Sequence, residues 1–94
     1  MLKSFFHTGF IVKNLETSIE FYTSVFGLKL AGRAERTGLF AETLVGYKDV
    51  HLQNAFLDLG DGHQLELIQY LTPLGSKAKF EKNDVGAAHL AFLV

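Results

Sequence analysis

Three ionisable residues stand where the surrounding pattern calls for apolar side chains: His7 in FFHTGFIV, Glu66 in HQLELIQY and His89 in AAHLAFLV. An imidazole or carboxylate inside an apolar strand must find a partner or neutralise. For any one of them the plain reading is a buried polar residue with its own hydrogen bond. Taken together, two imidazoles and a carboxylate make a partial shell for a divalent cation such as Zn²⁺, Ni²⁺, Co²⁺, Mn²⁺ or Fe²⁺. The spacings are too long for a local metal motif, so this chemistry requires three separate strands to converge.

The hydrophobic periodicity supplies such strands. Phe5 to Val12 is aromatic and β-branched and reads as a strand with both faces largely buried. Asn14 is an expected helix N-cap and Glu16 suits the positive end of the helix dipole. Leu15, Ile19, Tyr22 and Phe26 follow at helical spacing, with Phe21, Tyr22 and Phe26 expected in the core, and Gly27 ends the helix. Leu28 to Ala34 is a short second strand. Leu39 to Tyr47 reads as a short helical turn or a lid. His51 to Leu59 and His63 to Tyr70 form a hairpin around Gly60-Asp61-Gly62.

On the first strand His7 shares a face with Phe5, Gly9 and Ile11. Glu66 shares one with Gln64 and Ile68, opposite Leu65 and Leu67. His89 shares one with Ala91 and Leu93.

The expected architecture is α+β: a βαβββ module over residues 5–70, a polar linker over 71–86, and one further strand over 87–94, all in a single domain over 1–94. That last strand repeats the first. His7-Thr8-Gly9-Phe10-Ile11-Val12 and His89-Leu90-Ala91-Phe92-Leu93-Val94 share the pattern His-x-small-Phe-aliphatic-Val, the mark of a duplicated unit. If the duplicated units pair their strands, His7 and His89 become symmetry mates.

The segments His7-Thr8-Gly9-Phe10-Ile11-Val12, Ser18-Ile19-Glu20-Phe21-Tyr22 and Gly27-Leu28, with Leu65-Glu66-Leu67-Ile68 and Gly86-Ala87-Ala88-His89-Leu90-Ala91-Phe92, closely resemble the glyoxalase I / bleomycin-resistance / extradiol dioxygenase superfamily, the vicinal oxygen chelate proteins. The resemblance covers nearly the whole chain. It implies paired βαβββ modules forming an open barrel around one divalent metal, with His7, Glu66 and His89 as its ligands. A Glu on the fourth strand favours the branch of glyoxalase I-like lyases and acyl-CoA epimerases. There the metal stabilises an enediolate of a small oxygenated substrate and a metal-bound carboxylate, here Glu66, shuttles the proton. The alternatives are a ligand-sequestering module of the bleomycin-resistance type and an extradiol dioxygenase. A full family domain has two modules. The resemblance therefore implies a C-terminally truncated chain or a homodimer in which a second copy completes the barrel by strand or module pairing. Left alone, Leu90 to Val94 would be an unpaired apolar strand.

Composition agrees with a globular domain acting on a small molecule. The 94 residues carry nine Lys+Arg against ten Asp+Glu and are 48% hydrophobic. That balance argues against a nucleic-acid partner, and no apolar run is long enough to span a membrane. The N-terminus lacks a signal-peptide pattern, and the chain has no cysteine, so neither a disulfide framework nor a thiolate metal site is open to it; a cytoplasmic location is expected. Among the remaining polar residues, His51 and His63 are expected at the surface without a ligand. Gln53 and Gln64 either line the cavity or face solvent. Arg33 and Arg36 either hold a substrate carboxylate or are solvated charges. Asp58 to Gly62 has the look of a calcium loop but lacks its spacing and distal Glu, so a hairpin turn suffices.

Overall fold

A computed structural model describes all residues from Met1 to Val94. The elements run β1 (His7–Ile11), α1 (Leu15–Phe26), β2 (Lys29–Arg36), α2 (Gly38–Val45), β3 (His51–Asp58) and β4 (Gln64–Thr72). This is the expected α+β module, with the segment after the second strand resolved as a helix.

Local chemistry sets the boundaries of α1. The Asn14 side chain accepts from the Thr17 N–H at 3.0 Å, and Gln69 Oε1 accepts from the Leu15 N–H at 2.8 Å. Two of the four N–H groups that a helix leaves unpaired at its start are thereby satisfied. At the other end Gly27 takes a left-handed conformation (φ 72°), and the N–H groups of Gly27 and Leu28 reach the carbonyls of Thr23 and Tyr22. In the β3–β4 turn, Asp58 accepts from the Gly60 N–H at 2.8 Å and Asp61 from the His63 N–H at 2.9 Å, which is how Asp side chains stabilise a turn.

The sheet order is β1-β4-β3-β2, with β1 parallel to β4 and the other pairs antiparallel. Strand alternation then gives the sheet two different faces. One face is covered by α1, whose Leu15 and Ile19 pack with Leu28 on Ala55, Leu57, Leu65 and Leu67. Thr8 and Phe10 of β1 belong to the same face through their register partners Leu65 and Leu67. The other face carries His7, Gly9, Asn54, Phe56 and Glu66. It is covered only at one end, where Ala41 of α2 packs with Val50 and Leu52 near Ile68 and Tyr70.

Two expectations about burial are corrected by this arrangement. Strand β1 is an edge strand with alternating exposure, Phe5 and Phe6 are exposed, and Ile11 is 63% exposed. Its apolar composition therefore does not report a two-sided core. Phe21 and Phe26 are also about half exposed rather than core, and form an aromatic cluster with Tyr22 and Phe92.

The terminal segment 87–94 is a third difference. It carries no strand ladder, although its sequence repeats β1. A strand is stabilised by cross-strand partners, and this segment pairs with no strand of the sheet. Its Phe92 stacks instead on Phe26, with ring centroids 5.3 Å apart. The chain exposes 7720 Å², against roughly 5,400 Å² for a compact monomer of this mass. Residues 1–6 and 73–94, all exposed except Phe92, contribute to that excess.

Candidate functional site

Register and pleat bring two of the three candidate residues together. His7 pairs with Gln64 and Gly9 with Glu66 along the parallel β1–β4 ladder, so the His7 and Glu66 side chains rise from neighbouring positions of the open face. His7 Nε2 lies 3.3 Å from Glu66 Oε1. The imidazole is fixed by edge-on aromatic contacts with Phe56 at 5.3 Å and Phe6 at 4.8 Å between centroids. Gly9 leaves room beside the carboxylate.

The second carboxylate oxygen is held from the opposite side. Asn54 on β3 donates its Nδ2 to Glu66 Oε2 at 2.9 Å, a diagonal cross-strand contact within the hairpin. Asn54 is 5% exposed, and its Oδ1 is occluded without a partner. The sequence pattern did not single it out. The signal available was a residue type depleted in strands at an inward position between Leu52 and Phe56.

His89 is not part of this arrangement. It is exposed in the terminal segment, and no three His, Asp or Glu side chains gather anywhere in the chain. The pair His7–Glu66 nevertheless fits a divalent cation in donor type. Two ligands each about 2.0–2.2 Å from one tetrahedral ion stand roughly 3.4 Å apart, and the observed 3.3 Å is close to that spacing. A catalytic site of this kind takes about three protein ligands, so the pair accounts for part of one.

The other polar candidates lie elsewhere. Gln64, register partner of His7, is half-buried on the same face. Arg33 is on the helix-covered face, where its guanidinium binds Glu16 of α1. This hydrogen bond holds the Glu16 carboxyl below its usual range and raises Arg33. Arg33 is thus an interelement tie facing away from His7 and Glu66.

Gln53 donates to Glu35 at 2.7 Å, and His51 Nε2 is 3.7 Å from the other Glu35 oxygen. His63 Nε2 meets Thr8 Oγ1 at 2.9 Å. Neither histidine is as exposed as expected, because each is packed against a neighbouring strand. A cavity of about 370 Å³ lies on the helix-covered side, between the β3–β4 turn and Leu90, Ala91 and Phe92. It does not reach His7 or Glu66.

Comparison with known proteins agrees with this fold. The Glyoxalase/Bleomycin resistance protein/Dioxygenase superfamily matches residues 4–94. The chain belongs to that superfamily. It is 33% identical over 81 residues to the uncharacterized protein YwbC of Bacillus subtilis (strain 168), an alignment covering 84% of this chain and 56% of YwbC. A glyoxalase family protein from Bacillus cereus, known from a crystal structure, superposes with a TM-score of 0.73 at 27% identity, over 96% of this chain and 59% of that one. The chain thus spans a little over half the length of each of these two proteins. No helix is long and apolar enough to cross a membrane.

Proposed function

We propose that the open sheet face is the site of a metal-dependent, glyoxalase-like lyase or isomerase acting on a small oxygenated substrate. The observation that carries this is the 3.3 Å approach of His7 Nε2 to Glu66 Oε1 on an uncovered face. His7 and Glu66 would hold a divalent cation, which when bound polarises substrate oxygens and makes a neighbouring C–H acidic. Glu66 supplies a carboxylate beside that position, able to accept the proton and return it. Phe6 and Phe56 flank His7 and hold its ring through edge-on contacts.

The third ligand in this reading is His89, delivered by strand pairing in a homodimer. Two features support it: the β1-like sequence of residues 87–94 and the free β1 edge. A second reading, a ligand-sequestering module without turnover, is favoured by the distance of His89 from the pair within one chain.

Native mass spectrometry of the chain with added Co²⁺ or Zn²⁺ separates them. The lyase reading expects a metal-bearing dimer, with metal lost in His7→Ala and Glu66→Gln. A protein whose metal content is the same in both variants and the parent would overturn it, and ligand affinity that survives chelation would favour sequestration.

A further inference from the structure

Asn54 is the one polar residue among the eleven buried side chains, and nothing in the reading above requires it. A buried amide is costly unless its polar groups are satisfied. A Leu or Val would fill the same strand position without that cost. Its donor is nevertheless committed to a single atom, Glu66 Oε2, at 2.9 Å, while its Oδ1 has no partner.

The two side chains fix one another. Turning the amide over would set Oδ1 against a carboxylate oxygen, acceptor against acceptor, so the carboxylate selects the orientation of the amide. The amide in turn pins Oε2 on the β3 side. The remaining oxygen, Oε1, is then directed to the β1 side, toward His7 Nε2 and over Gly9, where a Cβ would stand 3.6 Å away.

We infer that Asn54 is the positioning residue of the site: it orients the Glu66 carboxylate so that Oε1 and His7 Nε2 are presented together. The inference rests on reading His7 and Glu66 as the functional pair. Groups that orient a metal ligand typically change metal affinity 10- to 100-fold when removed.

The test uses the 94-residue chain, Asn54→Leu and Asn54→Ser, the first apolar at similar volume and the second too short to reach Glu66. Two measurements are made on each. Side-chain NMR couplings without metal report whether Glu66 holds one rotamer. Co²⁺ titration followed by visible absorption reports affinity.

The expected result is one Glu66 rotamer in the parent, averaging in both variants, and Co²⁺ affinity weakened 10- to 100-fold. A purely structural Asn54 would lower the melting temperature and leave both readouts unmoved, which overturns the inference. So does a Glu66 already averaged in the parent, or Co²⁺ affinity equal in all three proteins despite binding. If Co²⁺ binds none of them while the rotamer is lost on substitution, the metal reading fails and the positioning role of Asn54 stands.

Discussion

Gly9 lies opposite Glu66 in the parallel β1–β4 ladder, and its missing side chain is what leaves the Glu66 Oε1 atom uncovered on the β1 side. A Cβ there would be 3.6 Å from Oε1 and 4.0 Å from the Ile68 side chain, ordinary contact distances. Gly9→Ala is therefore expected to fold, with stability unchanged or raised by up to about 1 kcal/mol, since Gly in a strand interior costs about that much relative to Ala. Its methyl group should shield Oε1 and weaken Co²⁺ binding. Thermal denaturation and Co²⁺ titration of the same sample check both halves; a variant that binds as tightly as the parent would show that the β1 side is not the approach.

The core beneath the site is small, and its cost of disruption follows from burial. Leu57 and Leu67 are 0% exposed and sit on the α1 face of the two central strands. Leu57→Ala removes contacts that a rigid two-layer packing cannot readily replace and should cost about 2–5 kcal/mol. That is a large part of the roughly 5–15 kcal/mol that usually separates folded from unfolded chains. Urea denaturation followed by circular dichroism should show the midpoint collapsing, whereas Leu39→Ala, on the exposed side of α2, should move it little.

Cap chemistry gives a finer test of the same layer. Asn14→Ala removes the acceptor for the Thr17 N–H and should cost about 0.5–2 kcal/mol. Gln69→Leu removes the acceptor for the Leu15 N–H. Because both serve the first turn of α1, their effects should not add, which a double-mutant cycle in urea would reveal.

These features differ in how far they could be read from the chain alone. The Asn14 cap, the Gly27 stop and the Asp58–Gly62 turn are decided by residues within a few positions of one another, and the structure has them as the pattern implied. The exposure of β1 depends on which strand ends at the sheet edge, a question of order that periodicity does not address. Phe26 followed helical spacing and Phe21 stood beside it, but α1 fully buries only Leu15 and Ile19 against this sheet. The adjacency of His7 and Glu66 needed only that their strands be neighbours, while Asn54 needed the hairpin register that sets it diagonally to Glu66. His89 lay beyond reach because a strand forms only beside a partner, and residues 87–94 pair with none of the chain's own strands.

The Arg33–Glu16 pair gives a pH dependence of defined sign. Its hydrogen bond lowers the Glu16 carboxyl in the folded state, so the pair stabilises the fold above the unfolded carboxyl value of about 4.3. That contribution is lost as the pH falls through the lower, folded value. Both groups are exposed, so the effect is small and shrinks with salt. Melting temperatures of the parent and Arg33→Ala should differ at pH 7 in low salt. They should converge toward pH 3, and also at pH 7 in 1 M salt; a difference that persists in acid would assign it to lost packing of the Arg33 stem instead.

The free edge of β1 makes the proposed dimer testable without reference to metal. The Val12 N–H donates to Ile68 and the Phe6 carbonyl accepts from Gln64, so the even-numbered residues of this strand face β4. By alternation the backbone N–H groups of His7, Gly9 and Ile11 face outward. A proline at Ile11 removes one outward donor and spares the β4 ladder, and edge proline is a natural block to strand addition. If a second copy pairs along this edge, sedimentation of the parent should show a concentration-dependent dimer and Ile11→Pro a monomer of unchanged secondary structure. A dimer that persists in Ile11→Pro would place the contact elsewhere, with the exposed Leu39, Phe40 and Leu44 of α2 as the next surface to change.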